Sequence, residues 1–215
     1  MKKTIALFVT VAVMVMLIAA CGYASVQVGD TIEFGWYDWR VLEIRDGRAL
    51  ILSEEILERR LYHSNHSDIT WEHCSLREYL NGWYYDNRFT TDEKNRIADV
   101  RNSNPANQWF SARGGENTID RVFLLSLEEV VRYFGDSGQL ANMSIGAHRR
   151  IDDEYNSNRI AVDKDTKEAW YWWLRSPGVL NHFAVNVDDL GYVGVGGLFV
   201  EADFGGVRPA LWLNL

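Results

Sequence analysis

The run WYWWLRSPG at residues 170–178 leaves a folding chain few choices. On a strand, successive side chains point to opposite faces. Trp170, Trp172 and Leu174 then face one way, and Tyr171, Trp173 and Arg175 the other. Both faces are rich in aromatic rings. A ligand platform needs one exposed face, whereas a strand apolar on both faces belongs in the middle of a sheet covered on both sides. Trp172 and Trp173 are therefore expected in the core. Arg175 must find a partner if it is buried, because an unpaired buried charge costs several kcal/mol. The same holds for Arg208 in the closing segment GVRPALWL, on a strand face shared with Trp212. Asp120 is the first expected partner for one of these arginines, with Asp188 and Asp189 as further candidates. Arg175, Arg208 and Asp120 are read as structural.

The other end of the chain is an address. Lys2 and Lys3 precede an apolar run, Ile5 to Ile18, too short for a comfortable membrane-spanning helix. It closes on Leu17-Ile18-Ala19-Ala20-Cys21, which resembles the lipobox of bacterial lipoproteins. That resemblance implies lipidation of Cys21, removal of residues 1–20, and a protein held by acyl chains on the extracytoplasmic face of a cell membrane. Residues 21–27 would be a short tether, and residues 28–215 a single domain. The formal charge is −8, and loss of Lys2 and Lys3 makes it two units more negative. Such an acidic chain is a poor partner for nucleic acid or an anionic lipid surface. With Cys21 lipidated, Cys74 has no partner for a disulfide, so stability must come from packing. The 9 Trp, 10 Tyr and 9 Phe supply it.

Local signals sketch an α+β layout. Residues 31–35, 39–44 and 48–53 read as strands, the last two joined by the tight-turn pair Asp46-Gly47. Leu76, Tyr79, Leu80 and Trp83 line one face of a helix over 75–85. Capping boxes at Thr90/Glu93 and Ser126/Glu129 open two more helices, and Gly135 stops the second. Residues 102–118 read as a loop, and 121–125 as a compact strand. Strands at 159–162, 169–175, 182–187, 191–195 and 207–213 complete the chain. The expected fold is one α+β domain with antiparallel sheets and helices mainly in the first half.

Five phrases, ITWEHCSLREYLNG, FTTDEKNRI, TIDRVFLLSLEEV, YWWLRSPG and GVRPALWL, occur in an order that resembles an uncharacterised domain family of bacterial exported and surface proteins. The resemblance spans about residues 28–215 and carries no assigned activity. The ending is also similar to C-type-lectin-like modules, which implies that the first and last strands pair. Neither calcium nor sugar ligands of true lectins can be carried over.

Few constellations promise chemistry. Gly135-Asp136-Ser137-Gly138 lacks the context of a serine protease and fits a helix-ending turn. His63, His66, His73 and Cys74 have residue types suited to zinc, but polar residues in a loop leading to a helix are commonly just solvated. Asp163 to Glu168 begins like a calcium loop and lacks its central glycine and final acid. The acidic residues at 188–203 leave a weak calcium site open. No cofactor, catalytic group or committed metal site is expected. Binding residues are instead expected on loops held by rigid strands: His182, Asp189 and Asp203, and Trp109, read as exposed on the 102–118 loop. The resulting expectation is a lipid-anchored, non-catalytic module for an unknown surface ligand, glycan or protein. The alternatives are a hydrolase of surface glycan or peptide, and a purely structural envelope protein.

Overall fold

The structure is a computed structural model that describes residues 26–143 and 149–215. The leader, Cys21 and most of the 21–27 tether lie outside these residues. Among the described residues, no helix is long and apolar enough to cross a membrane.

The chain folds as one α+β domain. A four-stranded sheet has the order β1-β2-β3-β11, from β1 (Thr31–Phe34), β2 (Tyr37–Arg45), β3 (Arg48–Ser53) and β11 (Ala210–Asn214). Gly35 and Trp36 both hold positive φ, as do Asp46 and Gly47, which suits tight hairpins. Trp36 is left 82% exposed at its hairpin tip. The final strand β11 pairs antiparallel with β3, while β1 sits two strands away at the edge. The pairing of first and last strands implied by the lectin-like resemblance is thus not formed by β1.

A five-stranded sheet has the order β4-β10-β7-β8-β9, built from β4 (Glu58–Arg59), β10 (Gly206–Val207), β7 (Trp172–Pro177), β8 (Phe183–Val187) and β9 (Val193–Phe199). β7 is its middle strand, and Trp172, Trp173 and Leu174 are fully buried. Trp172 packs edge-on to Phe134 and donates Nε1–H to the Arg159 carbonyl at 3.1 Å. Trp173 packs on the other side, against Tyr62, and donates to the Arg60 carbonyl at 2.9 Å. The double-sided aromatic strand is therefore core. A third, two-stranded ladder joins β5 (Val100–Asn102) to β6 (Thr118–Asp120).

Both capping boxes form: Thr90 with Glu93 opens α3 (Thr91–Arg96), and Ser126 with Glu129 opens α4 (Leu127–Phe134), which ends at Gly135. Residues 122–125 are buried, with Arg121 exposed, and the segment carries only a bridge from Phe123 to Ala210, short of the strand expected at 121–125. Residues 159–162 likewise contribute one bridge, Val162 to Ala169, because Arg159 closes a short helix, α5 (Asn156–Arg159).

The helix over 75–88 is the most informative departure. It begins as α1 (Ser75–Tyr79), widens into a π-turn at Leu80–Tyr84, and resumes as α2 (Tyr85–Arg88). The extra residue in the π-turn rotates everything after it. Tyr84 enters the core in place of Trp83, which stands 54% exposed.

The arginines are clamped differently from expectation. Arg175 is paired with Glu129, Nη1 to Oε2 at 2.5 Å and Nη2 to Oε1 at 2.9 Å, and also donates to the Leu124 carbonyl. Asp120 serves neither Arg175 nor Arg208. It accepts from Arg77, Trp71, Asn102 and Thr118 and so ties α1 to β5 and β6. Asp188 accepts from the backbone of Leu190 and Tyr192 and closes its own turn. Arg208 is fully buried among Trp172, Phe134 and the Ser53 carbonyl, with no carboxylate in salt-bridge range among the described residues. One buried pair has no counterpart in the sequence reading: Arg159 with Asp153, Nη1 to Oδ1 at 2.8 Å and Nη2 to Oδ2 at 3.1 Å.

Candidate functional site

The π-turn creates the surface that stands out. Trp83 lies nearly parallel to Tyr79, with ring centroids 5.7 Å apart and planes at 13°. The Arg60 guanidinium covers the Tyr79 ring at 3.5 Å. Tyr79 donates its hydroxyl to Glu58 at 3.1 Å, which fixes the ring in place. Burial, and then the Glu58 charge that accepts this bond, push the phenol above the ordinary tyrosine range. Beside this stack runs a groove of about 420 Å³, walled by Arg59, Arg60, Ser64, Ser75, Tyr79 and Asp203. Arg59 is itself sandwiched, with its guanidinium 3.8 Å from the centre of the Trp170 ring and its Nε 2.9 Å from Asp163. The Tyr79 ring, hydroxyls and both signs of charge thus line one concave strip, with Trp83 stacked on Tyr79 beside it. π-Turns inside helices are frequent at functional sites, and binding groups concentrate on loops held by rigid scaffolds.

The loops around the groove are stitched to one another. Arg60 N–H donates to Gly205, His63 N–H to Val200, and Ile69 N–H to Asn181. Asn181 exchanges hydrogen bonds with the Arg113 backbone in both directions. Segments 60–70, 113, 181–182 and 199–205 therefore make one connected face.

The expected binding residues are not brought together. Asp203 lines the groove. His182 lies on the same loop face, with Nδ1 3.1 Å from Asp68. Asp189 sits past the far end of β8, in the turn beside Tyr171, whose phenol is raised by burial and then by the charges of Asp189 and Asp188. Trp109 is half-buried against the core and donates Nε1–H to the Leu140 carbonyl at 2.8 Å, so it packs where exposure was expected. Tyr79, Trp83, Arg60 and Ser64 were missed, because a regular helix turns Trp83 inward. His63 and Cys74 are spent locally: His63 Nδ1 accepts from Ser75 N–H, and Cys74 Sγ caps α1. Burial pushes the Cys74 thiol up to about 12.

A second cleft lies elsewhere, between the four-stranded sheet and α4. It measures about 570 Å³ and holds Glu43, Glu128, Glu129, Arg132, Arg175 and Trp212. Most of its charges serve the fold. Glu43 accepts from Tyr133 and pairs with Arg132, and Glu129 holds Arg175 while closing the α4 capping box. Glu128 differs: Oε1 accepts from Gln108 at 3.3 Å, and Oε2 is buried with no partner among the described residues.

Fold and site together define a single α+β domain with a groove, lined mostly by polar residues and bordered by Tyr79, on its loop face. The chain belongs to the family of the domain of unknown function DUF6273, whose model matches residues 46–215. The matched span starts in the turn between β2 and β3, so β1 and β2 precede it. Neither a curated protein nor a solved structure matches the chain.

Proposed function

We propose that this protein is a lipid-anchored, extracytoplasmic binding module that acts without catalysis and takes a surface glycan in the Tyr79–Asp203 groove. The observation that carries the reading is the outward-turned Trp83, laid on Tyr79 beside a groove walled by Ser64, Ser75, Arg59, Arg60 and Asp203. A pyranose ring has an apolar C–H face and a rim of hydroxyls, which matches a rigid indole face beside hydroxyl, guanidinium and carboxylate groups. Aromatic rings supply contact area at low entropic cost, and the few polar groups fix orientation. A glycan array probed with the protein tests this. Trp83→Ala and Asp203→Ala should each weaken binding at least about tenfold, a loss of about 1.4 kcal/mol. The melting temperature should stay within a degree or two, since both side chains are largely outside the core. Equal glycan binding by parent and Trp83→Ala would refute the groove.

The anchor carries its own test. Cys21→Ala should abolish incorporation of labelled palmitate and leave the leader attached. Unchanged labelling would remove the membrane from the proposal.

The second reading, a hydrolase of surface glycan or peptide, is favoured by the Glu128 carboxylate in the large cleft. Any hydrolytic activity lost in Glu128→Gln with folding intact would move the function there.

A further inference from the structure

On the loop face, two histidines from distant parts of the chain stand against each other. Their ring centroids are 5.1 Å apart. Each gives its Nδ1 to a different carboxylate: His66 to Glu201 at 2.5 Å, and His182 to Asp68 at 3.1 Å. A carboxylate on Nδ1 sets ring orientation and tautomer and leaves Nε2 as the free lone pair, the usual support for a metal-ligating imidazole. Phe199 is stacked on the His182 ring, with planes at 17°, and Phe183 lies 4.7 Å from it, so the pair has an apolar backing.

We propose that His66 and His182 form an open site for a divalent transition ion of the zinc class, bound through their Nε2 atoms and oriented by Glu201 and Asp68. The spacing fits this role. With metal–nitrogen bonds of about 2.0–2.1 Å and a ring radius of about 1.1 Å, two imidazoles on one tetrahedral ion have centroids about 5.2 Å apart. Imidazole selects zinc, copper and nickel over calcium and magnesium, which separates this site from the calcium possibility raised for residues 188–203. Among the described residues, no group of three or more His, Cys, Asp or Glu is placed to hold an ion. The ion would therefore take two protein ligands and keep its other positions for water or an incoming donor. Structural zinc sites are closed by four protein ligands, so this site is one for exchange, not for holding the fold.

The test is calorimetric titration of Zn²⁺ into the full chain in detergent, stripped of metal beforehand. One ion per chain is expected. His66→Ala and His182→Ala should each weaken binding at least about tenfold, and Glu201→Gln about 10–100-fold. His63→Ala and His73→Ala should bind as the parent does, since His63 is engaged with Ser75 and His73 with Glu72. A second measurement needs no variant: in an NMR titration of the parent, the imidazole signals that move should be two of the five histidines, His66 and His182. Absence of saturable binding, binding that survives the double substitution, or movement of other histidines alone would overturn the site.

Discussion

Trp172→Ala and Trp173→Ala should each cost about 3–5 kcal/mol, the range for large aromatics removed from a packed core. That is a large part of the about 5–15 kcal/mol that holds an ordinary domain together. Both indoles are fully buried on the middle strand of the five-stranded sheet. Each loses more than contact area. Trp172 leaves the Arg159 carbonyl without its donor and strips Arg208 of a ring 5.0 Å from its guanidinium. Trp173 leaves the Arg60 carbonyl unpaired and opens a void beside Gly205, where a Cβ would sit 2.0 Å from the indole. Urea unfolding followed by far-UV circular dichroism measures the loss. The midpoint should fall in both variants while the slope stays near the parent value. A Trp173→Ala chain as stable as the parent, but deficient in ligand binding, would reverse the assignment of this strand from core to platform.

What the sequence made legible was local or one-dimensional. Period-two alternation across 170–175 was enough to put β7 in the centre, since no arrangement with one wet face satisfies it. Asp46-Gly47 and the two capping boxes signal through neighbours three or fewer residues apart, and all three appear as read. What stayed hidden depends on contacts between distant segments. Glu129 already announces itself as a capping residue, and nothing local says that the same carboxylate also holds Arg175, 46 residues on. Asp120 looked available because it flanks an apolar segment, but β6 aims it at Arg77 and Trp71. The π-turn is a tertiary override of helix period: burying Tyr84 outweighs the regular ladder, and Trp83 is displaced as a result. His66 and His182 were visible as residue types, but their meeting depends on Val200 N–H bonding to the His182 carbonyl and His63 N–H to the Val200 carbonyl, which bring the two loops together.

Raising the pH above about 10 should destabilise the protein, with a profile set by buried groups of opposite sign. Burial pushes the phenols of Tyr62 and Tyr84 well above the usual tyrosine value of 10.0. Above that pH the unfolded chain releases these protons and the folded chain keeps them, so the folded state binds more protons and stability falls as pH rises. Each such group removes about 1.4 kcal/mol per pH unit, and the two together about 2.7. Cys74 acts in the same direction from 9.0, because burial lifts its thiol to about 12. Arg208 acts in the other direction. Burial pushes its guanidinium down to about 9, so above that pH the folded state holds fewer protons than the unfolded chain and stability gains. Between about pH 9 and 10 the Cys74 and Arg208 contributions offset each other, and above about 10 the tyrosines dominate. Urea midpoints measured from about pH 8 to about pH 11.5 should show a plateau followed by a steep fall. Tyr84→Phe should make the fall shallower, by about 1.4 kcal/mol per pH unit, at little cost near neutrality, since its hydroxyl has no hydrogen-bond partner among the described residues. Arg208→Met removes the opposing contribution and should bring the onset down from about pH 10 to about pH 9, while its neutral-pH stability is held or raised by replacing a buried charge with an apolar chain. Equal stability at both ends of the pH range would mean that the two phenols ionise as freely in the folded chain as in the unfolded one, and that the core around them admits water.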